Sequence, residues 1–166
     1  MTIRRFYDQW PQYNRRLTGI VGAMTDEQLA IRPSPEGWPM WATAGHDAGA
    51  RVYWLCGVLH EPGAETTPWP DADGYGWEDD LDHPRTAVEL VRALDTTWAI
   101  VERCLDAWTP EMLEQMVERT RDGRLEVHSR ASILQRILTH DAYHCGELSQ
   151  TLGIHGLPQI DLWRVD

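Results

Sequence analysis

Apolar residues recur at steps of three and four along most of this chain. Between residues 3 and 24 the repeat runs Ile3, Phe6, Tyr7, Trp10, Tyr13, Leu17, Ile20, Val21 and Met24, which predicts an amphipathic helix with one buried face. Pro11 lies inside that repeat and is expected to kink or divide it, since proline has no N–H to donate and its ring crowds the preceding turn. Thr25 followed by Gln28 reads as a capping box opening one short turn, and Ile31 to Gly37 is loop by composition. A second helix is predicted over roughly Trp38 to His60, with Pro39 in its first turn and Glu61-Pro-Gly ending it. A third begins near Pro84 and places Ala87, Leu90, Val91, Leu94, Trp98, Val101, Leu105 and Trp108 on one face. Thr109 and Pro110 then start another short turn. Residues 116 to 128 alternate around Asp122-Gly123, a pattern that fits a hairpin or an irregular loop. The fourth helix is expected from about 130 to 152 with Gly153 as its C-cap, and the tail from Gly156 to Trp163 as extended or irregular.

Four long amphipathic helices with modest links predict an all-α fold, a four-helix bundle formed by a single domain over residues 1–166. The segment from Ala64 to His83 is rich in Pro, Gly, Asp and Trp, and a connection that long inside a compact domain is expected to be functional or mobile.

Composition narrows the function classes. A net charge of -11 argues against nucleic acid, whose phosphates demand a basic surface. No apolar run approaches the ~20 residues of a membrane span, and Met1 to Arg5 lacks the apolar stretch of a secretory signal, so a cytoplasmic protein is expected. All 15 basic residues are arginine, which excludes a lysine Schiff base. The acidic cluster Glu78-Asp-Asp-Leu-Asp82 reads as solvated surface. Cys56, Cys104 and Cys145 have no CxxC spacing and read as buried hydrophobes. There are nine tryptophans, more than a bundle core usually uses. Trp38, Trp41, Trp69 and Trp77 fall near loops or helix starts and are expected to line a cleft.

The chemistry concentrates in the fourth helix. His140 and His144 stand four residues apart, which stacks both imidazoles on one face one turn apart, where their ring nitrogens can converge on one ion. Glu147 continues the same stripe and could be a ligand, an acceptor orienting an imidazole, or a general base, the one catalytic candidate. A third ligand has to come from another helix. His46 is the best candidate, flanked by small residues in Ala42-Thr-Ala-Gly-His-Asp-Ala-Gly that let a neighbour approach closely. His60, His83, His128 and His155 fit solvated or capping roles better. Asp47, Arg51, Tyr53 and Tyr143 lie close in sequence to these ligands and could bind a small-molecule substrate, Arg51 through a carboxylate, although a surface ion pair is the commoner fate of such an arginine.

His46, the run Thr139-His-Asp-Ala-Tyr-His-Cys-Gly-Glu-Leu closing on Gly153-Ile-His-Gly-Leu-Pro, and Met24-Thr-Asp-Glu-Gln-Leu before Arg32-Pro together resemble the DinB/YfiT-like superfamily over nearly the whole chain. That resemblance implies a bundle of up-down-down-up type, a divalent nickel or zinc ion on His46, His140 and His144, and a homodimer. It further implies a low-molecular-weight thiol as cosubstrate, in a transferase or isomerase. Two alternatives stand beside it: a metal-dependent hydrolase, and a non-catalytic metal-binding stress-response protein. A cleft lined by tryptophans would favour an enzyme, and a closed, dry core would favour the last.

Overall fold

The computed structural model of the chain describes residues 1–161. Leu162 and Trp163 of the predicted irregular tail lie outside the described residues.

Pro11 divides the first repeat. A short 3₁₀ turn, Ile3–Phe6, precedes α1 (Trp10–Gly22), and the proline falls in the first turn of α1, where a missing N–H costs nothing. α2 (Asp26–Leu29) opens on the predicted capping box, in which Gln28 N–H donates to the Thr25 hydroxyl at 3.3 Å and Thr25 N–H to the Gln28 side-chain oxygen Oε1 at 3.0 Å. α3 (Met40–Val52) starts two residues later than predicted, with Pro39 as its N-cap. From Tyr53 to Val58 it widens into a π turn, marked by the Leu59 N–H reaching the Trp54 carbonyl five residues back. Such turns frequently sit at functional sites. α4 (Ala87–Ala107) begins on a capping box between Thr86 and Glu89.

The Asp122-Gly123 signal resolves as a hairpin, β1 (Met116–Arg121) antiparallel to β2 (Arg124–Ser129). Both central residues have positive φ, +51° and +74°, the backbone of a tight turn that matches strand twist. α5 (Arg130–Ile154) runs past Gly153, correcting the predicted C-cap. The left-handed residue is Gly156, φ +67°. Its N–H reaches the Gly153 carbonyl and the Leu157 N–H reaches that of Leu152, the paired bonds of a Schellman motif.

The architecture is thus an all-α bundle of α1, α3, α4 and α5 with one hairpin between the last two. α3 packs on α4 and α5, and α1 on α4. Leu90, Leu94, Val101, Leu105, Ile133 and Leu134 are fully buried between them, each contributing roughly 1.5–3 kcal/mol through burial. Trp41 belongs to this core at 2% exposure, so it does not line a cleft as predicted. No helix among the described residues is long and apolar enough to cross a membrane.

A buried polar network ties the long helices together. Arg51 of α3 is 1% exposed. It donates to both oxygens of Asp141 on α5 (2.9 and 3.2 Å), to Asn14 on α1 (2.8 Å) and to the Leu94 carbonyl on α4 (3.4 Å). Asp141 also accepts from the Trp10 indole at 2.9 Å, and Asp47, fully buried one turn before Arg51, lies 3.9 Å from the guanidinium. Arg51 therefore cannot reach a substrate in the clefts described below, and its structural ion pair is a buried one.

Candidate metal centre

α3 and α5 bring His46, His140 and His144 to one point, and the three imidazoles form a group able to hold a metal ion. The Nε2 atoms of His46 and His140 are 3.0 Å apart, and those of His140 and His144 3.1 Å. Every Nδ1 faces a carboxylate. His46 donates to Glu78, His140 to Asp47 at 3.3 Å, and His144 to Glu147 at 2.7 Å. A carboxylate on Nδ1 keeps the proton on that nitrogen, so each Nε2 presents a lone pair. Lone pairs 3.0 and 3.1 Å apart repel one another unless a proton or a metal cation lies between them.

The donor set suits such a cation. Two nitrogens bound to one ion at about 2.1 Å lie within roughly 4.2 Å of each other, which the His46–His140 and His140–His144 pairs satisfy, and the ligand atoms of all three lie within 4.8 Å of one another. The surrounding charge agrees, because Asp47 and Asp141 share a single arginine. Burial, opposed by Arg51 and reinforced by Asp47, pushes the Asp141 carboxyl up to about 7. One oxygen each of Asp47 and Glu78 is buried without a hydrogen-bond partner among the described residues. Excess buried negative charge beside three neutral imidazoles is what a divalent ion offsets.

The ring environments differ. Burial works against a charged His46, yet the carboxylates of Glu78 and Asp47 outweigh it and raise its pKa. For His144, burial and the neighbouring His140 lower it. Asp47 and Glu78 are both held below the usual carboxylate range, because their histidine partners, and Arg51 for Asp47, overcome the cost of burial.

Glu78 corrects the reading of residues 78–82 as solvated surface. The long segment before α4 folds back so that Trp77 and Trp69, 4.8 Å apart, pack on α3. Gly45 and Gly49 admit them, since a Cβ at Gly45 would meet the Trp77 ring at 2.9 Å and one at Gly49 the Trp69 ring at 3.4 Å. The small residues flanking His46 were the signal. They receive indole rings, and the residue after Trp77 is thereby set against His46.

The trio opens on two sides. A cleft of about 360 Å³ carries Trp38, Thr43, Tyr143, His144 and Glu147. A second, of about 490 Å³, carries His46, His140, Glu78, Tyr53, Trp54, Trp69, Arg121 and Arg136. The side chains of His46 and His140 are about a quarter exposed (26% and 24%) and that of His144 is 8% exposed. Glu147 is spent on orienting His144 and on the Tyr143 hydroxyl, whose pKa that bond raises. Tyr143 is exposed beside His144, their rings 5.0 Å apart. The Tyr53 hydroxyl accepts a bond from Arg119. Of the remaining histidines, His155 is the C-cap residue of α5 and His83 pairs with Asp80 in solvent.

Residues 9–148 match the profile of the DinB superfamily. The chain belongs to that superfamily. Its fold is that of a DinB-like protein from Bacillus cereus ATCC 10987, at 20% identity over 96% of each chain and a TM-score of 0.68. A DinB-like protein from Bacillus subtilis, YjoA, is similar at 14% identity over 90% of each chain, with a TM-score of 0.56. No curated protein matches.

Proposed function

We propose that this DinB-superfamily chain is a metal-dependent enzyme that holds a divalent ion, zinc or nickel, on His46, His140 and His144 and transfers or isomerises a small molecule with the help of a low-molecular-weight thiol. The observation that carries this reading is the set of three Nδ1–carboxylate pairs aiming three Nε2 lone pairs at one point beside open clefts. A purely structural ion would sit among four protein ligands in a closed site. Here Trp38 flanks one opening and Trp54 and Trp69 the other, the arrangement that favours an enzyme over a non-catalytic binding protein.

A bound ion would hold a thiol as its thiolate, a far better nucleophile than the thiol at neutral pH. The chain's own groups do the rest. Glu78, Asp47 and Glu147 keep the imidazole protons on Nδ1 and fix the ring planes. Glu147 is a positioning residue, correcting its place as catalytic candidate, since its carboxylate is engaged by His144 and Tyr143. Tyr53 and Tyr143 line the two clefts, where they contact substrate, while the tryptophans exclude water from the reacting atoms. Because all three neighbouring carboxylates orient imidazoles, no free general base stands beside the trio among the described residues, which favours thiol transfer over hydrolysis. The same reading takes the protein as a cytoplasmic homodimer.

The test is a thiol panel. Protein loaded with zinc or nickel is incubated with mycothiol, bacillithiol or glutathione and an electrophile, and thiol-dependent turnover is expected that His140→Ala abolishes. Turnover without thiol, on esters or amides, would replace this reading with the hydrolase.

A further inference from the structure

The larger cleft presents hydrogen-bond donors that the protein itself leaves unused. Trp69 is 7% exposed and lines the cleft, yet its indole N–H has no acceptor among the described residues. Leaving such a buried donor unpaired costs about 1–3 kcal/mol unless a ligand satisfies it. Arg136 stands one turn before His140 on the same stripe of α5, about 6 Å along the axis. Its only described partner is the face of Trp54, 4.7 Å away. Arg121, at the hairpin tip, lies 3.7 Å from the exposed Asp122 and otherwise faces the same cleft. Arg119 is different, committed to Glu126 at 2.6 Å and to the Tyr53 hydroxyl.

Each acidic side chain of the cleft has one oxygen engaged. Glu78 takes His46, and Asp79 accepts from the Gly76 N–H at 2.9 Å. Apart from the second oxygen of Glu78, which has no hydrogen-bond partner among the described residues, the free side-chain groups of this cleft are donors, two of them cationic, beside Tyr53 and Trp54.

We infer that the substrate carries a carboxylate, which Arg136 and Arg121 bind while the Trp69 indole N–H donates to it, so that the ligand's other end reaches the histidines. A planar carboxylate suits the guanidinium fork, and the single helical turn between Arg136 and His140 selects a short chain between the two ends. This inference rests on reading the trio as an ion site, and the experiment separates the two.

The probes are 4-mercaptobutanoate and its uncharged amide. Binding is followed by thiolate-to-cobalt absorption in Co(II)-loaded protein, and by tryptophan fluorescence in metal-free protein. The acid is expected to bind about tenfold more tightly than the amide in both forms. Arg136→Gln should cut that ratio severalfold while leaving cobalt stoichiometry intact. Trp69→Phe, which keeps the ring against Gly49, should weaken the acid about fivefold. Equal affinity of acid and amide, or a ratio unchanged by Arg136→Gln, overturns the inference even if cobalt binds. If cobalt does not bind, the ion reading fails, and the acid-to-amide ratio in metal-free protein still decides whether the carboxylate site exists.

Discussion

Asp47→Asn separates what orients the proposed ion from what holds the helices together. The carboxylate touches two systems. It accepts the His140 Nδ1 proton at 3.3 Å, and it lies 3.9 Å from Arg51. Arg51 keeps its close partners in the variant, Asp141 at 2.9 and 3.2 Å and Asn14 at 2.8 Å, and with a neutral amide at position 47 the remaining buried charges balance one to one. Metal-free stability is therefore expected to change by no more than about 1 kcal/mol. His140, by contrast, loses the group that fixes its tautomer and ring plane, and removal of such a partner typically lowers metal affinity 10–100-fold, on the order of 1.4–2.7 kcal/mol. Asp141→Asn is the mirror experiment. It leaves all three Nδ1–carboxylate pairs in place but strips Arg51 of its only bidentate partner, and breaking a buried pair from one side costs about 3–5 kcal/mol. Zinc affinity by competition with a chromophoric chelator, and urea unfolding of metal-free protein, measure the two effects. The reasoning is refuted if Asp47→Asn leaves zinc affinity unchanged, or if it unfolds the metal-free protein as readily as Asp141→Asn does.

Three further outcomes follow from other parts of the structure. Gly45→Ala removes a glycine that costs α3 up to about 1 kcal/mol in helix propensity, yet its Cβ would press Trp77 at 2.9 Å and displace the adjoining Glu78. Zinc affinity should fall about tenfold with stability held within about 1 kcal/mol, and unchanged affinity would show that Trp77 does not set Glu78. Burial pushes the Cys104 thiol up to about 12 and raises those of Cys56 and Cys145, so native protein should react with Ellman's reagent only over hours and release three thiols promptly in guanidinium; a fast native thiol contradicts this. Thr86→Ala removes the α4 cap, in which the hydroxyl accepts the Glu89 N–H at 3.4 Å. It should cost about 0.5–2 kcal/mol, a Tm drop of roughly 2–4 °C per kcal/mol by calorimetry, and no drop would mean that the cap is redundant.

Local signals were the legible ones. Pro11, the Thr25–Gln28 box and Asp122-Gly123 each act over two to four residues; the first two mark the elements they were read to mark, and the third is the hairpin of its two readings. The i, i+4 histidine pair belongs to the same class, since one helix decides its geometry. What stayed hidden depends on contacts far apart in sequence. Glu78 lies 32 residues from His46, and only the packing of Trp69 and Trp77 on two α3 glycines places it there, so its sequence context still read as a solvated acidic run. Arg51 was read as a substrate contact or a surface ion pair because it lies close in sequence to His46. The helix instead turns it inward, where Asp141, 90 residues away, receives it. Gly153 was a reasonable helix stop, but Leu157 buries itself against the core only if α5 runs on to Ile154 and turns at Gly156.

The central claim is that three imidazoles with carboxylate-held Nδ1 protons bind one divalent ion. Elemental analysis of protein purified without added metal or chelator tests it most directly, beside His46→Ala and His140→Ala variants that remain folded by circular dichroism. One equivalent of zinc or nickel per chain in the parent protein, and less than a tenth of that in either variant, is the predicted result. A folded parent protein that carries no transition metal and takes up none on dialysis against zinc or nickel, or variants that retain the full equivalent, would contradict it.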